Sequence, residues 1–418
     1  MLAGMTRAVP GPLGKVTLGD RAARALVSEL TRLPGPKIGL LAGATPGSTA
    51  LGAAIDALAP EDSLVVTAPD LTAMRDHIAG LGNWVADRVR VVKSAGDSDP
   101  ADVVLLAEPL TGSAEHTRDL LGELARSVRP GGVLAVATAA VPGLTGGAAG
   151  ELGRQAALFG AGSDLVLRNL PPVRIHRLRW SPPQPDLLDR LEPAARPSSV
   201  PLTRDLHIDS NGVVVACVAV GTAVLARLTR PGAKGWLLPA AAALPLAAFF
   251  RDPHREPPED RALVVAASDG RVLSVEHVTD ERFSADGSPV EYVRIAAFLS
   301  VLDVHVNRSP VAGTVVDHFR CDGGYAPAMS PEAEHNVAAY TVLDTSRGRV
   351  AVAQRTGLLA RRIVQRAPVG SLLARGERFG LIRFGSRTDV YLPAGSVRPL
   401  VAPGDRLLGG TTPLARWE

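Results

Sequence analysis

The sequence predicts an α/β first half built as a doubly wound parallel sheet, and a β-rich second half. Two strongly apolar segments lie between them. Three observations carry this division. Between Lys37 and Ala140, short apolar runs alternate with helical stretches, the pattern of a parallel sheet covered by helices on both faces. After Pro258 the texture changes to short alternating strands separated by Gly and Asp-Gly turns, as in a compact β domain. Residues Val213–Ala226 and Gly235–Phe250 are apolar on every face. A chain of 418 residues is also long for a single core, so two domains are expected.

Bulk properties exclude more than they assign. The formal net charge of +3 is small for this length, and no basic run with interleaved aromatics points to nucleic acid. Cys217 and Cys321 are the only cysteines and lack metal-ligand spacing, which suits free thiols in a reducing compartment. The opening MLAGMTRAVPGPLGK has no sustained apolar stretch of the kind a signal peptide needs.

The elements of the first half follow in order. KIGLLAGATPGSTALGAAIDALA reads as strand, Gly-containing turn and helix, and SLVVTAPD as a second strand ending on Asp70. DRVRVVKSAG, ADVVLLAEPL and GGVLAVATAA supply further strands, with the helical HTRDLLGELARSVRP before the last. This order resembles the class I S-adenosylmethionine-dependent methyltransferases. Asp70 falls where that family has a ribose-binding acid, and Arg129-Pro130-Gly131-Gly132 is similar to its late turn. The resemblance makes Gly43, Gly47 and Asp70 the candidate S-adenosylmethionine contacts. The loop Leu40–Gly47 has no acid, however, and holds a proline. Two readings therefore stay open: a scaffolding or regulatory domain, or one that still binds cofactor.

Residues 184–202 are Pro-rich with mixed charge and read as a linker. The two apolar runs that follow are each shorter than the roughly 20 residues of a spanning helix, and the second holds Pro239 and Pro245. One reading is a pair of core elements. The other is a hairpin inserted in a membrane, with Trp236 beside Lys234 as an interfacial anchor and Arg227 and Arg230 facing anionic headgroups. In the β-rich half, Ser346-Arg347-Gly348 reads as a hairpin turn.

Near the C-terminus, GERFGLIRFGSRTDVYLP (376–393) has the alternation of two strands meeting at Gly385-Ser386. Taken with FFRDPHREPP (249–258), SDGRV (268–272) and FLSVLDVHVNRSPVAGTV (298–315), the stretch resembles the phosphatidylserine decarboxylase family, in particular its short bacterial and archaeal branch. The resemblance implies self-cleavage of the Gly385–Ser386 bond. The serine hydroxyl attacks the preceding carbonyl, the amide becomes an ester, and elimination followed by hydrolysis leaves a pyruvoyl group at position 386. That ketone condenses with the substrate amine as a Schiff base and accepts the electrons left when carbon dioxide departs. The products of processing are a large chain, 1–385, and a small chain, 386–418.

The same resemblance makes Ser386, His305 and Asp269 the catalytic set. Asp269 assists cleavage by orienting a histidine, and His305 handles protons. Arg308 stands where longer members carry a second histidine, which leaves open the group that deprotonates Ser386. Asp303 is expected to support the His305 loop. Arg361 and Arg362 are candidates for phosphate contact, and the other histidines lack metal-ligand spacing. The expected organisation is a methyltransferase-like domain (1–183), a linker (184–210), a membrane-associating hairpin (211–250) and a pyruvoyl-dependent decarboxylase domain (251–418). The implied activity converts phosphatidylserine to phosphatidylethanolamine on an anionic membrane at its cytoplasmic face, with homodimers common in the family. The alternatives are a decarboxylase of another serine phospholipid, and a methyltransferase with a non-catalytic membrane module.

Overall fold

The computed structural model describes residues 16–141, 143–183, 185–194, 200–203, 205–230, 232, 234–358, 362–383 and 386–418. The chain divides into two units, Met1–Pro197 and Ser198–Glu418.

In the first unit, seven strands form one sheet: β1 (Ile38–Ala42), β2 (Ser63–Thr67), β3 (Val89–Val92), β4 (Ala101–Leu106), β5 (Val128–Ala139), β6 (Gly160–Val166) and β7 (Val173–Leu178). Their order is β3-β2-β1-β4-β5-β7-β6. The first five run parallel, and β7 lies antiparallel to both β5 and β6. Leu40, Leu41, Val103, Val104, Leu134 and Val136 are fully buried, as expected of strands covered on both sides. The order reverses between β1 and β4, and open α/β sheets hold ligands in the crevice at such a point. Two of the candidate contacts have clear local reasons there. Gly43 turns at φ +71° and its N–H donates to Thr67 Oγ1 at 2.9 Å. Asp70 caps the helix Leu71–Gly80, accepting from Ala73 N at 3.0 Å, which stabilises a helix start by itself. Gly47 has open space where a side chain would stand.

The second unit contains β8 (Val200–Pro201), β9 (Leu206–Ile208), β10 (Arg251–Pro253), β11 (Leu263–Val265), β12 (Gly270–Asp280), β13 (Val290–Leu299), β14 (Val306–Arg308) and β15 (Gly313–Cys321). They are followed by β16 (Ala338–Thr345), β17 (Gly348–Arg355), β18 (Arg362–Gln365), β19 (Leu372–Leu373), β20 (Arg378–Arg383), β21 (Ser386–Pro393), β22 (Val397–Pro399), β23 (Arg406–Leu407) and β24 (Pro413–Trp417). The main sheet is antiparallel, ordered β19-β15-β16-β17-β21-β13-β12-β23, and a small sheet is ordered β14-β20-β18. The β16–β17 turn falls at Ser346-Arg347, with Gly348 at φ +106°. Strand β21 displays the two faces of the main sheet. Val390 and Leu392 join an aliphatic core with Val352, Ile295 and Val293. Tyr391 lies in an aromatic cluster with Phe283, Tyr292 and Tyr340 on the other face.

The two apolar segments form helices Ser210–Thr229 and Leu237–Phe249, the second with Pro245 inside it. The first is longer than the apolar run alone suggests, because it takes in Ser210–Gly212 and Arg227–Thr229. Its 20 residues, mean hydropathy 2.0 and low burial make it long and apolar enough to cross a membrane. Val218, Leu225, Leu228, Leu238 and Leu244 all stand exposed. At the root of the pair, β9 pairs with β10. Asp209 caps the first helix and holds Arg366 bidentately at 2.5 and 2.6 Å. The fully buried Asp252 binds Arg308 at 3.0 Å and Arg378 at 2.6 Å. Gly212 is required here, since a Cβ would lie 2.5 Å from Phe250 Cβ. Residues 200–208, placed in the linker by composition, thus supply strands of this root.

Candidate active site

Ser386 opens β21 and pairs with Leu299 at the end of β13. By the two-residue period of a strand it shares a face with Thr388, Val390 and Leu392, so its side chain belongs to the aliphatic-core side. The residue is fully buried, and its Oγ has no hydrogen-bond partner among the described residues. A buried hydroxyl left so costs free energy that folding alone does not explain. Gly385, the other half of the expected cleavage site, lies outside the described residues, as does Arg361.

Asp269 is brought toward the same corner by its neighbours. Gly270 turns at φ +139°, and a Cβ there would lie 2.1 Å from Phe298 O. Only glycine lets the backbone press so closely on the end of β13, next to the Leu299–Ser386 pair. Ser268 Oγ adds a 2.7 Å hydrogen bond to Thr388 Oγ1. The Asp269 carboxylate is engaged by Arg255, whose Nη2 donates at 2.8 Å and whose Nη1 makes a second bond. Gly409 N donates to it at 2.9 Å and Val304 N at 3.4 Å. Its influence on His305 therefore runs through the Val304 backbone and through charge, rather than through a hydrogen bond to the ring. Arg255 lies within the FFRDPHREPP run, although sequence alone gave it no partner.

His305 follows directly. Its carbonyl accepts from Ile382 N at 3.2 Å, tying it to the strand that leads toward Ser386. Nδ1 lies 2.9 Å from Asp303 O. A carbonyl only accepts, so Nδ1 carries the proton and Nε2 is the basic nitrogen. The Phe249 ring packs against the imidazole with centroids 4.2 Å apart. Burial pushes the His305 pKa down to about 4, opposed by the Asp303 carbonyl and the carboxylates of Asp303 and Asp269. The ring is neutral at neutral pH. Asp303 supports the loop as expected, accepting from Ser300 N and Oγ at 2.8 and 2.7 Å and from Arg406 at 2.9 Å.

Arg308 is buried and donates to Asp252, to Pro253 O at 2.8 Å and to Gly376 O at 3.2 Å. It clamps the helical root and holds no basic lone pair for Ser386. Arg355 is also buried, donating to Asp389 at 2.7 Å, Tyr340 Oη at 2.9 Å and Tyr391 Oη at 3.1 Å. Because Arg355 pairs with Arg387 across β17 and β21, it belongs to the face opposite Ser386. That face carries a pocket of about 390 Å³ lined by Arg282, Arg294, Tyr340 and Tyr391. Arg362 is exposed at the start of β18. Among the described residues, no cluster of His, Cys, Asp and Glu could hold a metal ion.

The two implied groups fare differently. A fully buried Ser386 hydroxyl with no hydrogen-bond partner among the described residues fits a residue that is converted in place into pyruvoyl. In the first unit Asp70 uses Oδ1 as a helix cap and is exposed, which leaves its second oxygen able to accept, but the β1 loop offers no carboxylate for the amino-acid end of S-adenosylmethionine. Those residues fit that cofactor only in part.

Comparison with known proteins gives the family. The model described as phosphatidylserine decarboxylase matches residues 244–415. A protein named phosphatidylserine decarboxylase proenzyme from Gluconacetobacter diazotrophicus is 50% identical over 173 residues, covering 40% of this chain and 75% of that protein. The Thermobifida fusca protein of the same name is 43% identical over 202 residues, covering 48% of this chain and 87% of that protein. Solved structures similar to part of the chain include the O-methyltransferase TomG from Streptomyces achromogenes. That match has 16% identity and TM-score 0.29, and covers 40% of this chain and 82% of TomG. TrmN from Thermus thermophilus gives 20% identity and TM-score 0.31, covering 39% of this chain and 49% of TrmN. With half of 173 aligned residues identical over three quarters of a proenzyme's length, this chain belongs to the phosphatidylserine decarboxylase family.

Proposed function

We propose that the chain is a self-processing, pyruvoyl-dependent decarboxylase that converts phosphatidylserine to phosphatidylethanolamine at a membrane surface. The observation that carries this reading is the Ser386 hydroxyl at the first residue of β21, fully buried and without a hydrogen-bond partner among the described residues. In the precursor, the Ser386 hydroxyl adds to the carbonyl of residue 385. His305, neutral with its lone pair on Nε2, is the group suited to take the hydroxyl proton. Asp269, held by Arg255, fixes the Val304 amide and so the backbone that presents the ring. Once formed, the pyruvoyl group supplies an electrophilic ketone and an electron sink. In the mature site, neutral His305 Nε2 takes the proton that the substrate ammonium gives up and returns it at the carbon that loses carbon dioxide. The surrounding apolar core keeps out bulk water.

The apolar helices support action at a membrane. The second ends in Phe249 against His305, and Leu302, 83% exposed, lies beside it where Arg251 binds the Leu302 carbonyl. A lipid held at this surface could offer its headgroup to the site without leaving the bilayer. The test is intact mass under denaturing conditions for the purified chain and for Ser386→Ala. The expected result is two chains, the smaller beginning at position 386 and blocked by pyruvoyl, with the variant uncut. A single uncut wild-type chain from a folded sample would sink the reading.

A further inference from the structure

Two fully buried amides next to Ser386 have no role in the chemistry above. Asn307 and Gln354 are both inaccessible to solvent, and Gln354 Nε2 donates to Asn307 Oδ1 at 2.7 Å. That bond leaves Asn307 Nδ2 and Gln354 Oε1 without partners among the described residues. Rotating both amides by 180° reverses the roles but leaves the same count: one unused donor group and one unused acceptor. The Gln354 amide lies against the small sheet, where a Cβ on Gly380 would come 2.5 Å from Val364 O and 3.0 Å from Gln354 Nε2.

Register connects the pair to the active site. Gln354 is directly opposite Thr388 in the β17–β21 ladder, so it shares the Ser386 face. Ser386 is its diagonal neighbour, about 7–8 Å away by backbone and within reach of a long side chain or a small bound group. Asn307 lies two residues beyond His305, in the middle of β14, which begins directly after the histidine. The patch is polar, neutral and closed: Ser268 and Thr388 satisfy one another, and Arg255 and Arg308 are each paired with an aspartate.

We propose that the Asn307–Gln354 amide pair binds the carboxylate of the substrate's amino-acid head, with the amide N–H donating to it beside position 386. This rests on the decarboxylase reading above and names the part of the site that recognises serine rather than ethanolamine. The chemistry favours a neutral donor. The carboxylate must leave as uncharged carbon dioxide, so a guanidinium would stabilise the ground state more than the transition state and slow the step. An amide orients the group with less of that penalty. The unused acceptor suits the amino N–H of the same head.

The experiment uses the full chain and separates processing from recognition. Cleavage is followed by intact mass, and KM and kcat are measured with dihexanoyl phosphatidylserine. Inhibition is measured with dihexanoyl phosphatidylethanolamine, which lacks the carboxylate. Asn307→Leu and Gln354→Met should still cleave and should raise KM for the serine lipid about ten- to hundredfold, the loss of one hydrogen bond to a charged group. Inhibition by the ethanolamine lipid should move less than about threefold. Asn307→Asp keeps the shape but faces the carboxylate with like charge, and should lose more kcat/KM than Asn307→Leu. The proposal is overturned if both lipids weaken together, or if Asn307→Asp cleaves normally and binds the serine lipid as wild type does. Loss of cleavage in every variant, including the isosteric one, overturns it too, by assigning the pair to processing. An uncut wild type is a different failure, that of the pyruvoyl reading itself.

Discussion

At the scale of residues, the site is built from a few groups whose protonation is set by burial. His305 shows how. Its folded pKa of about 4 lies below the ordinary histidine value because desolvation penalises the cation. Between pH 6.5 and about 4 the unfolded chain therefore binds more protons than the folded one, so stability falls as pH is lowered through that window. His176 in the first unit, also pushed down to about 4 by burial, adds to the same slope. The acid limb of decarboxylation should have its midpoint near pH 4 in wild type, where an exposed imidazole would give one near 6.5. Replacing Phe249 by Ser, which admits water to the ring, should move that limb upward by about one unit while the intact masses still show cleavage. An unshifted profile would detach Phe249 from the function of His305. Ser386, His305 and Asp269 could be named from the sequence as candidates because each sits in a local run with distinctive neighbours. Asn307 and Gln354 were not. They are 47 positions apart, and an amide inside an alternating strand carries no local mark until register shows what it faces.

At the scale of elements, the helical root explains why an arginine occupies position 308. Two strands of three residues each, β9 and β10, cannot hold a pair of exposed apolar helices on their own. The buried ion pairs do this, with Asp252 gripping Arg308 and Arg378 while Asp209 grips Arg366. Arg308, three residues beyond His305, thus ties β14 to Asp252 and Pro253 of β10, just past the end of the second helix. Removing one partner leaves buried charge uncompensated, which costs about 3–5 kcal/mol. Asp252→Ala should therefore lower the unfolding free energy of the second unit by about that amount in urea titration, whereas Arg227→Ala, on the exposed helix, should change it by less than about 0.5 kcal/mol. The apolar character of both helices was plain from composition. Their full length and their root were not, because the helix ends are polar and the root strands are too short, and too near prolines, to show a period of two.

At the scale of the whole molecule, two cores share one chain and each is complete in itself. The first unit buries its own strands around Leu40, Val104 and Leu134, and the second around Ile295, Val352 and Val390. The family match lies wholly in the second, from residue 244 to 415, and every residue invoked in the proposed chemistry lies there too. The first half's sheet was legible because parallel strands read as continuous apolar runs. Its purpose was not, since a fold of this kind leaves function to its loops, and here Asp70 is taken up by its own helix. If the first unit is an independent addition, a chain of residues 198–418 should fold, cleave at Ser386 and decarboxylate phosphatidylserine with kcat within about twofold of the full chain. Calorimetry on the full chain would measure S-adenosylmethionine binding beside Asp70→Ala. The acid-free β1 loop predicts no binding below millimolar cofactor and no difference between the two proteins. Micromolar binding abolished in Asp70→Ala would show instead that the cap opens to a ribose. Slowed cleavage in the shorter chain would in turn make the first unit a partner in maturation, since every residue proposed for cleavage lies in the second unit.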